Sequence, residues 1–197
     1  IELAEKESFE TRMRIFGYTQ EDISTIISPM LISGKEAIGS MGTDTPLAVL
    51  SDKPQLLFNY FKQLFAQVTN PPLDGIREEI VTDISLTLGK EFNLFEISDK
   101  HASKLYIENP IISNEDLDKI SCINQNNLKA VKIPILYEVD MGFNGIEISL
   151  DEIVTNIDKE VSNGANIIIL SDRGVSSTLA PIPVLLATSH VHNYFKR

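Results

Sequence analysis

Ser171, Asp172 and Arg173 stand together in LSDRGVSS, residues 170–177, directly after the apolar run of residues 167–170. An acid, a base and hydroxyls at the end of a strand suit anion binding or the holding of a polar substrate. In open α/β sheets and βα barrels, ligands collect at the carboxyl ends of parallel strands. The plainer reading, favoured on the residues alone, is a local Asp172–Arg173 pair that orders the loop. Glu138 and Asp140 in YEVDMGFNG, residues 137–145, offer two carboxylates for acid/base or metal work. Their i, i+2 spacing would put both on one face of a strand, although solvated carboxylates in such a place are common. His190 and His192 form an HxH, with His101 distant. On a helix, i and i+2 do not share a face, so this pair is a poor metal site. Cys122 has no basic neighbour and reads as an inert, buried thiol.

Gly39, Ser40, Gly42, Thr43 and Asp44 fall in the loop GSMGTD. The loop lacks both GxGxxG and the Walker lysine pattern, so as a nucleotide motif it is weak. It reads as a loop with unusual backbone angles. The stripe Phe58, Phe61, Phe65 reads as core or as an interdomain face.

These residues need elements to position them. Residues 1–18 read as a linker-like helix. TQEDIST opens a further helix, with Thr19 as cap and Glu21 and Asp22 at the positive end of its dipole. Ile23, Ile26, Ile27 and Met30 keep helical period, and Pro29 marks an end or a kink. Residues 47–50 read as a short buried strand. Residues 51–68 give the strongest helical pattern, capped by Ser51, with Pro54 in the first turn and the stripe Leu57, Phe58, Phe61, Leu64, Phe65, Val68. A helix over 73–82 and a strand around Ile84, Leu86 and Leu88 follow. Residues 113–120 read as a short helix capped by Ser113 or Asn114.

From there the pattern alternates. Residues 131–140 read as a strand. Residues 148–165 read as a helix stopped by Asn163-Gly164. Residues 166–174 read as a strand buried on both faces, and residues 181–195 as a helix. Strand, helix, strand, helix with short connections predicts βαβ units and a mainly parallel sheet. The fold class is α/β, and residues 1–197 read as one domain. About four to six strands are visible, short of the eight of a closed βα barrel.

Composition narrows the partners. The 197 residues carry 28 acidic and 17 basic side chains, a formal net charge of −11. That balance repels phosphate backbones and anionic lipid, so neither nucleic acid nor a membrane surface is an expected partner. No apolar run approaches the roughly 18 residues of a transmembrane helix. The single cysteine cannot make an internal disulfide, nor hold a cluster or a structural zinc alone. It fits a reducing cytoplasm. The start IELAEKESFE and the end VHNYFKR read as cut from a longer polypeptide.

One longer pattern is more specific than any of these motifs. GSMGTDTPLAVLSDKPQLLFNYFKQLFAQVTNPPLDGIREE, with GYTQEDI before it and SLTLGKEFNLFEIS, ILSDRG and PIPVLLATSHVHNYF after it, closely resembles the central domain of the glutamate synthase large subunit. The motifs occur in the same order, and the resemblance spans essentially the whole chain. It departs at Thr43, where the family's SMGDDTP has an acid, and at Gly75, where the family's DPIRE has Pro. Thr43 removes a charge from the loop, and Gly75 loosens a turn.

The resemblance implies a fold like a partial or degenerate TIM-type βα barrel. It implies a non-catalytic connecting domain between a glutamine amidotransferase domain and an FMN synthase domain bearing a 3Fe–4S cluster. The whole enzyme would make two L-glutamates from L-glutamine and 2-oxoglutarate, passing ammonia through an internal tunnel. In this chain it implies no FMN, no cluster and no catalytic residue. Gly39, Ser40, Gly42, Thr43, Asp44, Ser171, Asp172 and Arg173 become candidates for tunnel wall or domain interface. The competing expectation is a stand-alone βα-barrel enzyme, or a phosphate- or flavin-binding module, using the loops around Asp140 and Asp172.

Overall fold

The computed structural model describes residues 9–35, 37, 48–53, 55–61, 68 and 71–196. The chain divides into two compact units, Ile1–Gln67 and Val68–Arg197. The loop Gly39, Ser40, Gly42, Thr43, Asp44 lies outside the described residues, as does most of the aromatic stripe beyond Phe61.

In the first unit, α1 spans Phe9–Ile15. It closes through Gly17, whose φ of 75° admits the bond from Tyr18 N–H to Met13 C=O at 2.9 Å. This is a left-handed cap of the kind glycine supplies. A Cβ there would also meet Leu56 Cδ2 at 2.3 Å. The next helix starts where the sequence places it. Thr19 caps α2, Gln20–Asp22, and Asp22 returns a bond to Thr19 N–H at 2.8 Å, completing a reciprocal box. A π-helical turn, Ile23–Ile27, then leads into α3, Ser28–Ser33. Pro29 explains the turn: it lacks the N–H that an α-helix would send back one turn.

Two expectations change here. Residues 48–50 form no strand. Ser51 N–H closes a turn onto Ala48 C=O at 2.9 Å, and Leu50 is 97 % exposed. A short apolar run becomes a buried strand only when another strand pairs with it. The strong helical stripe contributes a 3-10 helix, Leu57–Tyr60, whose C-cap Phe61 leaves helical angles (φ −118°, ψ 39°). No continuous α-helix runs through Phe61.

The second unit begins with α4, Gly75–Val81, capped by Asp74 through Ile76 and Arg77 N–H, each at 3.0 Å. Gly75 is the first helical residue, the position where proline is best tolerated. β1, Leu86–Leu88, pairs antiparallel with β2, Leu105–Ile107. α5, Asn114–Ser121, is capped by Ser113. β3, Asn124–Gln125, turns through Asn126 and Asn127 into β4, Leu128–Pro134. Both asparagines have positive φ, 52° and 62°. A two-residue hairpin loop of this geometry favours Asn or Gly.

β4, α6 (Gly142–Ser162) and β6 (Ile167–Ser171) make the expected βαβ unit, with β4 and β6 parallel from Ala130↔Ile167 to Pro134↔Ser171. The single strand expected over 131–140 is two. β5, Leu136–Glu138, leaves β4's sheet and pairs antiparallel with β7, Leu179–Pro181. Ile135 is the pivot. Its N–H donates to Ser171 C=O and its C=O accepts from Ile182 N–H, both at 2.8 Å. It is 1 % exposed. Among the described residues β4–β6 is the one parallel pair, and the other three pairs are antiparallel. The fold is therefore mixed α and β with small sheets, and no closed barrel is formed by these strands.

The core lies where α6 covers β4. Leu150, Ile153, Val154 and Ile157 of α6 are buried at i, i+3, i+4, i+7 spacing. Leu150, Ile153 and Ile157 pack in one cluster with Ile133, Ile135, Ile182 and Ala187. Val131 and Tyr137 extend the inward alternation of the strand, while Lys132 and Pro134 between them are exposed. Ile167 of β6 is buried and residues 168–171 are half-buried, less than the two-sided burial expected. α6 begins six residues earlier than its apolar pattern, because its first turn presents Phe143 to solvent. Gly145 in that turn is buried, and a Cβ there would meet Met141 Cβ at 2.8 Å and Glu138 C=O at 3.0 Å. α7, Val184–Lys196, packs against α6 through the fully buried Ala187 and through Val191.

Candidate functional site

The carboxyl ends of β4 and β6 do converge. Ser171 ends β6, opposite Pro134. The loop after it returns as β7 and pairs with β5, so Glu138 lies opposite Leu179 and Val139 N–H donates to Thr178 C=O at 2.9 Å. The loops that the sequence singles out, around Asp140 and around Asp172, are thus bonded to one another.

Their side chains do not converge on a common point of chemistry. Arg173 donates from its guanidinium to Asn114 Oδ1 at 3.0 Å, at the start of α5. It makes no ion pair with Asp172 among the described residues, contrary to the local pairing expected. Glu138 ends β5, whereas Asp140 lies in a 3-10 turn, Val139–Met141. The strand stops before the i, i+2 relation can place the two carboxylates on one face. Both are exposed.

Four of the loop's backbone N–H groups are taken by its own turns. Arg173 N–H donates to Ser171 Oγ at 3.3 Å. Ser176 N–H donates to Leu179 C=O at 2.9 Å. Thr178 and Leu179 N–H donate to Ser176 Oγ at 3.2 and 3.1 Å. Such turn bonds rigidify the loop and leave these four donors unavailable to an anion.

The remaining candidates are scattered. His190 Nε2 is buried without a hydrogen-bond partner, 4.0 Å from Asp151 Oδ1 across the α6–α7 contact. His192 is exposed on the same helix, and His101 Nε2–H donates to Glu96 C=O at 2.9 Å. The described residues contain no group of three or more His, Cys, Asp or Glu that could hold a metal ion. Cys122 is exposed, not buried. It occupies the C-cap of α5, between that helix and β3. No helix among the described residues is long and apolar enough to cross a membrane.

An open cleft of ≈ 380 Å³ lies at the opposite end of β4 and β6. It is lined by Lys90, Phe92, Lys129, Asn163, Gly164, Asn166 and the β3–β4 turn. Two of its polar side chains, Asn166 and Lys129, are committed to structure. Asn166 Oδ1 accepts from Lys129 N–H at 3.0 Å, and its Nδ2 donates to Asn127 C=O. Lys129 Nζ donates to Asn163 C=O at 3.1 Å, a cation at the negative end of α6. Sequence reading misses this arrangement and the Arg173–Asn114 contact alike. Its one local signal was the density of Asn around residues 124–127 and 163–166.

The helix that receives Arg173 is well capped. Ser113 Oγ donates to Asp116 Oδ2 at 2.7 Å, and Lys119 Nζ lies 3.0 Å from Asp116 Oδ1. The Ser113 hydroxyl first, and the Lys119 ammonium second, hold the Asp116 carboxyl below its ordinary value of 3.8.

Comparison with known proteins decides the family. Residues 11–197 match the family model described as the glutamate synthase central domain. The chain belongs to that family. It is 44 % identical over 199 aligned residues to the glutamate synthase [NADPH] large chain of Bacillus subtilis, covering 100 % of this chain and 13 % of that one. It is 41 % identical to the ferredoxin-dependent glutamate synthase 2 of Synechocystis, over 92 % of this chain and 12 % of the relative. It is 40 % identical to the glutamate synthase [NADH] of Schizosaccharomyces pombe, over 92 % of this chain and 9 % of the relative. The glutamate synthase central domain therefore spans about a tenth of the length of these relatives. They include chains named for NADPH, NADH and ferredoxin, so the central domain does not by itself identify the electron donor.

Proposed function

We propose that this chain is a non-catalytic connecting domain of a glutamate synthase, joining an amidotransferase domain to an FMN domain and helping to wall an ammonia tunnel between them. The observation that carries the reading is the match over residues 11–197 to a domain that makes up only 9–13 % of the relatives' chains. The whole enzyme would form two L-glutamates from L-glutamine and 2-oxoglutarate in the cytoplasm. Its FMN and 3Fe–4S cluster would be held by a flanking domain. The residues present do not fit the cluster: three thiolates are needed, and the sequence has one cysteine. The barrel-like architecture belongs to this reading too, with the βαβ unit of β4, α6 and β6 as one part of a larger, degenerate barrel.

Tunnel wall and interface are assigned to Gly39, Ser40, Gly42, Thr43, Asp44, Ser171, Asp172 and Arg173. A wall needs a backbone held in place and little reactive chemistry, which is what the internally bonded loop after β6 supplies. The test uses the longer polypeptide. Thr43→Trp should block ammonia passage without touching either reaction centre. Glutamine hydrolysis should stay within about twofold of wild type, while glutamate formed per glutamine hydrolysed falls by at least fivefold. External ammonium should restore glutamate formation. Unchanged coupling in Thr43→Trp and in Asp172→Trp would remove these residues from the tunnel.

A further inference from the structure

The loop between β1 and β2 is built to present three large apolar side chains to solvent. Leu94 is 86 % exposed, Phe95 96 % and Ile97 108 %. The display is ordered, not loose. Glu96 N–H donates to Asn93 C=O at 3.0 Å, which puts Leu94 and Phe95 at the tip of a β-turn. Phe95 N–H donates to Asn93 Oδ1 at 3.1 Å. His101 Nε2–H ties the Glu96 carbonyl from the far side, and the His101 ring meets Phe92 edge-on at 5.9 Å. Phe92 is covered in turn by Lys90 Nζ, 5.6 Å above its ring. Phe92 anchors the loop while Phe95 points away from it.

A phenylalanine side chain alone carries roughly 150–250 Å² of apolar surface. With Leu94 and Ile97 the tip reaches the few hundred Å² that mark an interaction site on a soluble protein. It remains well short of the roughly 800 Å² per partner of a stable complex between separate chains. A contact this small holds when the partner is tethered, because linkage raises the effective concentration to about the millimolar range. The tethered candidate is the rest of the polypeptide, since relatives carry about nine-tenths of their length outside this segment.

We propose that the Leu94–Phe95–Ile97 tip is an interdomain anchor that inserts into an apolar pocket of another domain of the same polypeptide. This rests on the reading of the chain as one domain of a longer enzyme. The test is photo-crosslinking in the native full-length polypeptide carrying Phe95→p-benzoylphenylalanine, with the cross-linked peptides identified by mass. The expected product is a cross-link within one polypeptide to a residue outside positions 1–197. In parallel, Phe95→Ser should speed amide exchange at least tenfold both in residues 93–98 and in that same contacted peptide, and Phe95→Leu should restore protection. A cross-link to a second copy, to a separate protein or to residues within 1–197 would overturn the anchor, and so would no cross-link at all. The size of the native polypeptide separates the two failures. A product of 22.0 kDa would sink the connecting-domain reading itself. A longer polypeptide with an uncontacted tip would sink only the anchor.

Discussion

Asp116 shows how little a single exposed carboxylate must do to organise an element. It receives Ser113 Oγ–H and Lys119 Nζ–H, and its own backbone N–H donates back to Ser113 Oγ at 3.1 Å. Its folded pKa lies below the ordinary 3.8, because both bonds favour the charged form. A depressed carboxyl stabilises the fold fully above the unfolded value. That contribution is lost as pH falls below 3.8 through the folded value. The group is exposed, so solvent screens the effect and the signature is sought in the titration itself. Ser113→Ala removes the largest cause. NMR titration of the Asp116 carboxyl carbon should show its midpoint moving up toward 3.8 in that variant. Loss of the cap should also cost about 1 kcal/mol in denaturant unfolding. An unmoved midpoint would mean that Lys119 alone sets it. The same cap holds Asn114 in place for Arg173, so the order of the candidate loop depends on a residue 58 positions earlier in sequence than Ser171.

Ile135 carries the corresponding burden between elements. It spends its N–H on the parallel sheet and its C=O on the antiparallel ribbon, and its side chain is among the most buried of the core. Ile135→Ala should destabilise the fold by about 2–5 kcal/mol, the range for truncating a core isoleucine. Ile135→Val should cost about 0.5–1.5 kcal/mol. Equal costs for the two variants would show that the backbone bonds, not the side chain, secure the crossing. This pivot also marks where sequence reasoning ends. Val131, Ile133, Ile135 and Tyr137 alternate without interruption, so periodicity reports one strand. The change of partner from β6 to β7 is a non-local event that leaves no local trace. β7 itself escapes notice, being three residues long and ending on Pro181. The helices fared better where caps and period agree. Thr19, Ser113 and the stop at Asn163-Gly164 were legible because a cap is made by neighbours in sequence. Residues 48–50 were misread for the converse reason: an apolar run says nothing about whether a partner strand exists. The candidate site divides the same way. The meeting of the two strand-end loops followed from the βαβ pattern, but Arg173 turning to Asn114, 59 residues away, did not.

For the whole molecule the question is whether these strand ends can serve as a cofactor site in their own right. A flavin phosphate at such a position needs several unengaged backbone N–H groups, and helped by positive potential it binds tightly. The Ser171–Leu179 loop has already spent four N–H groups on internal turns. Its one cation, Arg173, is bonded to Asn114. The chain as a whole carries a formal charge of −11, which opposes a phosphate dianion at long range. Opening the loop would break several turn bonds, each worth about 0.5–1.5 kcal/mol net, before any contact with a ligand is gained. Titration of the purified chain with FMN, followed by quenching of flavin fluorescence, should therefore show no saturable binding up to roughly 100 μM, equivalent to about −5.5 kcal/mol. Raising ionic strength should not create binding, since screening the net charge leaves the spent donors spent. Stoichiometric binding at low micromolar FMN would mean that the loop after β6 rearranges to free its amides. A domain able to do that would be an enzyme site in its own right rather than a connector, and the assignment of Ser171, Asp172 and Arg173 to a tunnel wall would fall with it.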